Sequence, residues 1–169
     1  MADPARQLRL NAVELLRQPG TTRAVAFDVD GGTVDVAHAA PDGSIDLDLV
    51  LEALNDGIAV RGTISTPWHG ECRRCLAPLT GVDVAEVDEL YQKVVIDPDA
   101  YLIEDGQLDL VPVVRETALL QLDDERLCRL DCAGLCPHCG IDRNVATCEC
   151  VTEVRDDRWA ALEGLELDS

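Results

Sequence analysis

Six of the chain's eight cysteines fall in one stretch, CRLDCAGLCPHCGIDRNVATCEC, as Cys128, Cys132, Cys136, Cys139, Cys148 and Cys150. The other two, Cys72 and Cys75, bracket a pair of arginines in a separate Cys-x-x-Cys turn upstream. Such a turn sets two thiolates on one ion, and zinc is satisfied by four ligands in a tetrahedron. The N-terminal MADPARQLRL has neither the apolar run nor the cleavage pattern of a secretory leader. No stretch approaches the roughly twenty apolar residues of a membrane span. The expected location is the cytoplasm, where thiols stay reduced and clustered cysteines read as metal or redox groups.

Cys136-Pro-His-Cys139 is followed at once by Gly140, which tolerates the positive φ that a thiolate knuckle needs. Cys148-Glu-Cys150 then supplies a second pair, so the first expected zinc site is Cys136, Cys139, Cys148 and Cys150. By count alone, Cys72, Cys75, Cys128 and Cys132 form a second all-thiolate site. A swapped arrangement, with Cys72 and Cys75 meeting Cys136 and Cys139 as in a zinc ribbon, stands beside it. His138, inside the knuckle, is expected to point outward. His69 is not needed as a ligand when eight cysteines are present, and His38 falls in a loop.

Two other readings use the same residues. Cys-Pro-His-Cys also serves some thiol-disulfide oxidoreductases, where a helix N-terminus lowers the first thiol's pKa. Here Gly140-Ile-Asp-Arg-Asn is a poor helix start, and no alternation of strands and helices surrounds it. A zinc-ribbon adaptor is the other, but no basic groove accompanies the cysteines. No nucleophile elbow, phosphate loop or His-Glu-x-x-His motif occurs, so a non-enzymatic role is expected.

Thirty-three acids against fourteen bases give a net charge of −19. A body this acidic repels bare nucleic acid overall and suits a basic partner, although solubility alone is the plainer account. Arg73 and Arg74, at the tip of the first cysteine turn, either form a small phosphate-binding (RNA-binding) prong or balance thiolate charge. Only Phe27, Trp68, Tyr91, Tyr101 and Trp159 are aromatic, so the core must be thin and aliphatic. A metal clip would offset that.

The expected fold class is α+β: an antiparallel sheet core (a meander or partial barrel), one main helix and a C-terminal zinc-knuckle segment. A short extended piece and one or two helical turns precede Pro19-Gly20. Thr22–Asp28 alternates as a first strand, and residues 30–44 read as a loop. Leu47, Leu49, Leu51 and Ala53 share one strand face. Asn55-Asp56-Gly57 reads as a hairpin turn with positive φ, returning along Ile58–Thr66. Leu79–Tyr91 follows, with Val82, Val84 and Val87 at strand-like positions. Residues 97–106 read as loop, and Leu108–Leu122 as a helix capped by Asp109 with Pro112 in its first turn. The expected division is a core domain over 1–127, a cysteine-rich segment over 128–150 packed on it, and an acidic tail over 151–169. That tail carries a short helix with Trp159, Leu162 and Leu165 on one face.

Three segments together resemble the YceD-like family: His69-Gly-Glu-Cys-Arg-Arg-Cys-Leu-Ala-Pro-Leu, Asp109-Leu-Val-Pro-Val-Val-Arg-Glu, and Cys132-Ala-Gly-Leu-Cys-Pro-His-Cys-Gly-Ile-Asp-Arg-Asn. The ending Asp157-Arg-Trp-Ala-Ala-Leu is similar to that family's C-terminal segment. The resemblance implies a role in accumulation of 23S-type ribosomal RNA during large-subunit assembly. The implied partners are precursor large-subunit ribosomal RNA, a basic large-subunit ribosomal protein, or both. It transfers no catalytic residue. Some members lack most of these cysteines, which implies that metal stabilises a subset rather than supplying the shared function.

Overall fold

Period-two alternation decides one inner strand of the sheet. In the computed structural model, which describes residues 4–36, 44–121 and 125–150, Ile45, Leu47, Leu49, Leu51 and Ala53 are all at most 2% exposed. They lie on one face of β3 (Ser44–Ala53), while Asp46, Asp48 and Val50 face outward. Burying each large aliphatic side chain contributes about 1.5–3 kcal/mol, so this face anchors the core. The expected tail helix with Trp159, Leu162 and Leu165 lies outside the described residues, as does 37–43 of the expected loop.

In chain order the elements are β1 (Arg9–Asn11), β2 (Thr22–Asp30), β3, β4 (Gly57–Glu71), β5 (Pro78–Gln92), β6 (Tyr101–Leu102), β7 (Gln107–Asp109) and α1 (Val111–Leu120). A short 3-10 turn, Leu15–Arg17, sits between β1 and β2. The sheet is open and runs β2-β3-β4-β5-β6, with β1 and β7 forming a separate antiparallel pair. Ladders run from Thr22↔Glu52 to Asp30↔Ser44, and from Asp46↔Ser65 to Ala53↔Ile58. The α+β expectation holds, with one departure: β6 joins β5 in parallel, through Tyr91↔Tyr101 and Gln92↔Leu102.

Two local expectations need correction. The β3–β4 hairpin closes on Asn55 and Asp56, with Leu54 N donating to Gly57 O at 2.9 Å. None of Asn55, Asp56 and Gly57 has a positive φ. Gly57 is needed instead because a Cβ there would run into the Tyr91 carbonyl. Val82, Val84 and Val87 all lie in β5 as expected, Val82 and Val84 being 61% and 63% exposed and Val87 5%. Side chains alternate along a strand, so an odd position cannot share a face with two even ones. Trp68 covers the opposite face, its ring against Gly81 and its Nε1 donating to Asp83 at 3.1 Å.

Finally, the helix starts later than expected. Leu108 and Asp109 belong to β7, where Leu108 pairs with Leu10 and is fully buried. Asp109 still serves the helix start, because its Oδ1 accepts from Val111 N at 2.9 Å. Pro112 occupies the first turn as expected. Val113, Val114 and Ala118 enter the same core cluster as Leu49, Ile64 and Tyr91.

The chain divides into two units, residues 1–70 with 78–124, and residues 71–77 with 125–169. The sheet and helix belong to the first. All eight cysteines belong to the second.

Candidate metal centres

The two Cys-x-x-Cys turns fold alike. Leu76 N donates to Cys72 O at 2.8 Å, and Gly140 N donates to Cys136 O at 2.9 Å. The residue after the second cysteine is left-handed in both, with φ of 58° at Leu76 and 73° at Gly140. Glycine takes that conformation freely, as expected for Gly140, whereas a side chain there costs about 1–2 kcal/mol. The turn aims backbone N–H groups at the first sulfur of each knuckle. Cys72 Sγ receives Cys128, Cys75 and Arg74, and Cys136 Sγ receives Cys139 and His138.

Around these turns the sulfurs gather in two sets. Cys72, Cys75, Cys128 and Cys132 have their Sγ atoms within 4.8 Å of one another, and so do Cys136, Cys139, Cys148 and Cys150. The Cys72–Cys132 and Cys75–Cys128 separations are 3.8 Å and 3.6 Å. Four thiolates about 2.3 Å from a central zinc ion form a tetrahedron whose edges are about 3.8 Å. All eight thiols are free of disulfides. Both donor sets therefore fit a tetrahedral, thiolate-bound ion. Cys72 and Cys75 do not meet Cys136 and Cys139. No histidine enters either set among the described residues, and His138 is exposed on the outside of its knuckle.

The electrostatics also ask for a cation. Burial pushes the Cys72 thiol up, but the N–H groups of Cys128, Cys75 and Arg74 outweigh it and bring the pKa down to about 6. At Cys136 the N–H groups of Cys139 and His138 lead, again lowering it to about 6. The last thiols to ionise are opposed by the sulfurs already there. Cys132 and burial raise Cys128 to about 12, and Cys139 and burial raise Cys150 to about 12. A positive ion reverses that penalty, because coordination deprotonates a thiol outright.

Polar groups missed in the sequence hold the second unit together. Arg74 Nη1 donates to the carbonyls of Cys132 at 3.0 Å and Leu130 at 3.4 Å. Leu135 N donates to Arg74 O at 2.8 Å. Gly134, at φ 71°, allows this approach, since a Cβ there would stand 2.9 Å from the Arg74 carbonyl oxygen. Asn144 lies between the two cysteine pairs of the second set yet serves the first. Its Nδ2 donates to Cys132 Sγ at 3.4 Å, and its Oδ1 accepts from Ala133 N and Arg129 Nη2. Asp142 orients it, accepting from both Asn144 N and Nδ2. The Asp-x-Asn spacing was the available signal, because short polar side chains commonly fold back on nearby backbone.

Arg73 and Arg74 thus have different surroundings. Arg73 pairs with Glu125 at 2.6 Å, its side chain 47% exposed. Arg74 has its Nη1 turned onto the Leu130 and Cys132 carbonyls.

Residues 60–166 match the family described as large ribosomal RNA subunit accumulation protein YceD. An uncharacterised protein of Mycobacterium tuberculosis is 32% identical over 125 residues, which cover 70% of this chain and 60% of that protein. One from Mycobacterium leprae is 33% identical over 103 residues, covering 57% of this chain and 48% of its own length. The chain therefore spans about three-fifths or less of the relatives it matches. No solved structure matches it. The matched span runs from within β4 past Cys150 and contains both sulfur clusters and α1, and on that match the chain belongs to the YceD family.

Proposed function

We propose that this protein is a non-enzymatic factor supporting synthesis, processing or stability of 23S ribosomal RNA during assembly of the large ribosomal subunit. The family match over 60–166 carries the reading. The two sulfur clusters fit zinc as a structural ion, with Cys72, Cys75, Cys128 and Cys132 holding one and Cys136, Cys139, Cys148 and Cys150 the other. Bound zinc supplies charge neutralisation and four directional bonds to a unit in which no helix or long strand is described. The direct contact is precursor RNA, a basic large-subunit ribosomal protein, or both.

The acidic surface suits the protein partner. Arg73 is able to exchange an exposed carboxylate for a phosphate at little cost, since exposed ion pairs are worth about 0–1 kcal/mol. Arg74 holds the loop through Nη1 and keeps Nε and Nη2 for a phosphate. A soluble, cytoplasmic working place accords with the absence of any helix long and apolar enough to cross a membrane among the described residues.

Crosslinked recovery of the protein from dividing cells, with RNA and protein in the eluate both identified, tests this. Enrichment of precursor large-subunit RNA or of a few large-subunit proteins is expected. An eluate without ribosomal enrichment would overturn the proposal.

A further inference from the structure

In a chain this acidic, most cations are already engaged. Among the described residues Arg9, Arg61, Arg73, Arg115 and Arg129 pair with carboxylates, and Arg74 with carbonyls. Arg6, Arg17, Arg23, Lys93 and Arg143 are exposed and have no side-chain partner among the described residues. Three of these five, Arg17, Arg23 and Lys93, gather in one place. Arg17 and Arg23 line a cleft of about 660 Å³ between the Leu15–Arg17 turn and the start of β2. Arg17 also lines a second cleft of about 250 Å³, this time with Lys93. The two clefts share Val13 and Arg17.

The walls carry uncharged hydrogen-bonding groups as well. Gln18, Thr21 and Thr22 line the larger cleft, and Glu14 is its single carboxylate. The Thr21 hydroxyl donates to Gln18 O at 2.8 Å, which fixes the turn that carries Arg17 toward Arg23. Unpaired guanidinium and ammonium groups beside amide and hydroxyl donors are the chemistry that receives phosphate oxygens. That three of the five unpaired cations share one place is hard to explain as solubility in a molecule with more than twice as many acids as bases.

We propose that these joined clefts are a phosphodiester-binding site, through which the sheet-bearing unit holds a single-stranded stretch of RNA by Arg17, Arg23 and Lys93. The identity of the ligand as RNA rests on the assembly role above; the anion site itself rests on the cation arrangement. The acidic remainder of the surface disfavours RNA, which favours contact at this place.

Binding of a fluorescein-labelled 12-nucleotide single-stranded RNA to the full chain, followed by anisotropy at several salt concentrations, tests the site. Three phosphate contacts give a logarithmic salt slope of about −2, so affinity should fall about 20-fold between 50 and 200 mM salt. Arg17→Ala with Arg23→Ala should leave a slope of about −0.7 and a fall of about 2.5-fold. Arg6→Ala with Arg143→Ala removes equal charge elsewhere and should keep the wild-type slope. Arg17→Lys with Arg23→Lys, which preserves charge and checks folding, should restore most of it.

No RNA binding at 50 mM salt, or equal slopes for the two alanine pairs, would overturn the site. So would complete displacement by inorganic phosphate at the concentration of RNA phosphate groups, because the cleft would then hold a free anion. Crosslinked recovery separates this failure from that of the assembly role. Ribosomal RNA recovered equally with wild type and the Arg17/Arg23 variant sinks the site alone, whereas none recovered with wild type sinks the role.

Discussion

The two sulfur clusters differ in the length of chain each one closes, and that difference sets an order of stability. Cys75 and Cys128 are 53 residues apart, and Cys72 and Cys132 are 60 apart. Closing a loop of that length constrains the unfolded chain by about 4 kcal/mol, taking the entropy relation established for crosslinks. The second cluster lies wholly within Cys136–Cys150, a loop of about 15 residues, for which the same relation gives about 3 kcal/mol. Cys128→Ser should therefore destabilise the zinc-loaded chain by about 1 kcal/mol more than Cys148→Ser. Cys128 is exposed and Cys148 half-buried, so lost packing biases the comparison in the opposite direction.

The assay is zinc content per chain together with urea unfolding of the purified protein. Wild type should carry two zinc ions, and each variant one. Both ions lost, or both kept, in either single variant would refute the partition into Cys72, Cys75, Cys128, Cys132 and Cys136, Cys139, Cys148, Cys150. Cys148→Ser proving the more damaging of the two would refute the loop argument while sparing the partition.

Three further perturbations probe other parts of the molecule. Gly62 has φ 148°, and a Cβ there would meet the Asp48 carbonyl and stand 2.9 Å from Leu49 Cα; Gly62→Ala should cost about 3 kcal/mol, read as a lower urea midpoint at constant slope, and an unchanged midpoint would contradict the close approach. Leu76→Gly relieves a left-handed leucine but adds unfolded-state freedom, for a net gain of about 0.5 kcal/mol; a loss above about 1 kcal/mol would mean that the exposed leucine is held by something the knuckle geometry does not explain. The Glu89 carboxyl is raised by burial first and then by Glu116, Asp88 and Asp99. A raised carboxyl opposes folding while ionised and ceases to do so as pH falls through its folded value toward the ordinary carboxylate range. Glu89→Gln should thus be more stable than wild type at pH 7, with the gap closing near pH 4; a gap that widens in acid would reverse the assignment.

The sheet was legible wherever burial imposed a clean period. Leu47, Leu49, Leu51 and Ala53 declared β3, and they are buried together. The β5–β6 pairing was not legible, because two paired residues leave no periodic trace. Val82 and Val84 marked β5 by composition but not its buried face, since β-branched residues favour strands on either face. The helix boundary slipped because Leu108 satisfies a helical pattern and a strand pairing equally, and tertiary contact with Leu10 chose the strand. At the sulfur clusters, spacing identified the knuckle around Gly140 but could not rank the pairings. The groups that distinguish them, Arg74, Gly134 and Asn144, act through backbone carbonyls and a single thiol.

The interrupted construction of the second unit also matters while the chain is being made. Cys72 and Cys75 leave the ribosome 53 residues before Cys128 follows Cys75, a delay of about 3–10 s at ordinary rates of synthesis. Loop closure takes well under a millisecond, so metal capture is limited by the arrival of ligands rather than by chain motion. A nascent chain therefore holds a two-sulfur half-site for seconds and is then offered Cys128 and Cys132, with Cys136 and Cys139 close behind. Every thiol pair answers to the same ion. Arg74 holds the Leu130 and Cys132 carbonyls, with Gly134 against its backbone, which favours Cys132 as the partner of Cys72. Selection of the sulfur pairing would thus fall to an arginine and a glycine that are not among the eight sulfur donors.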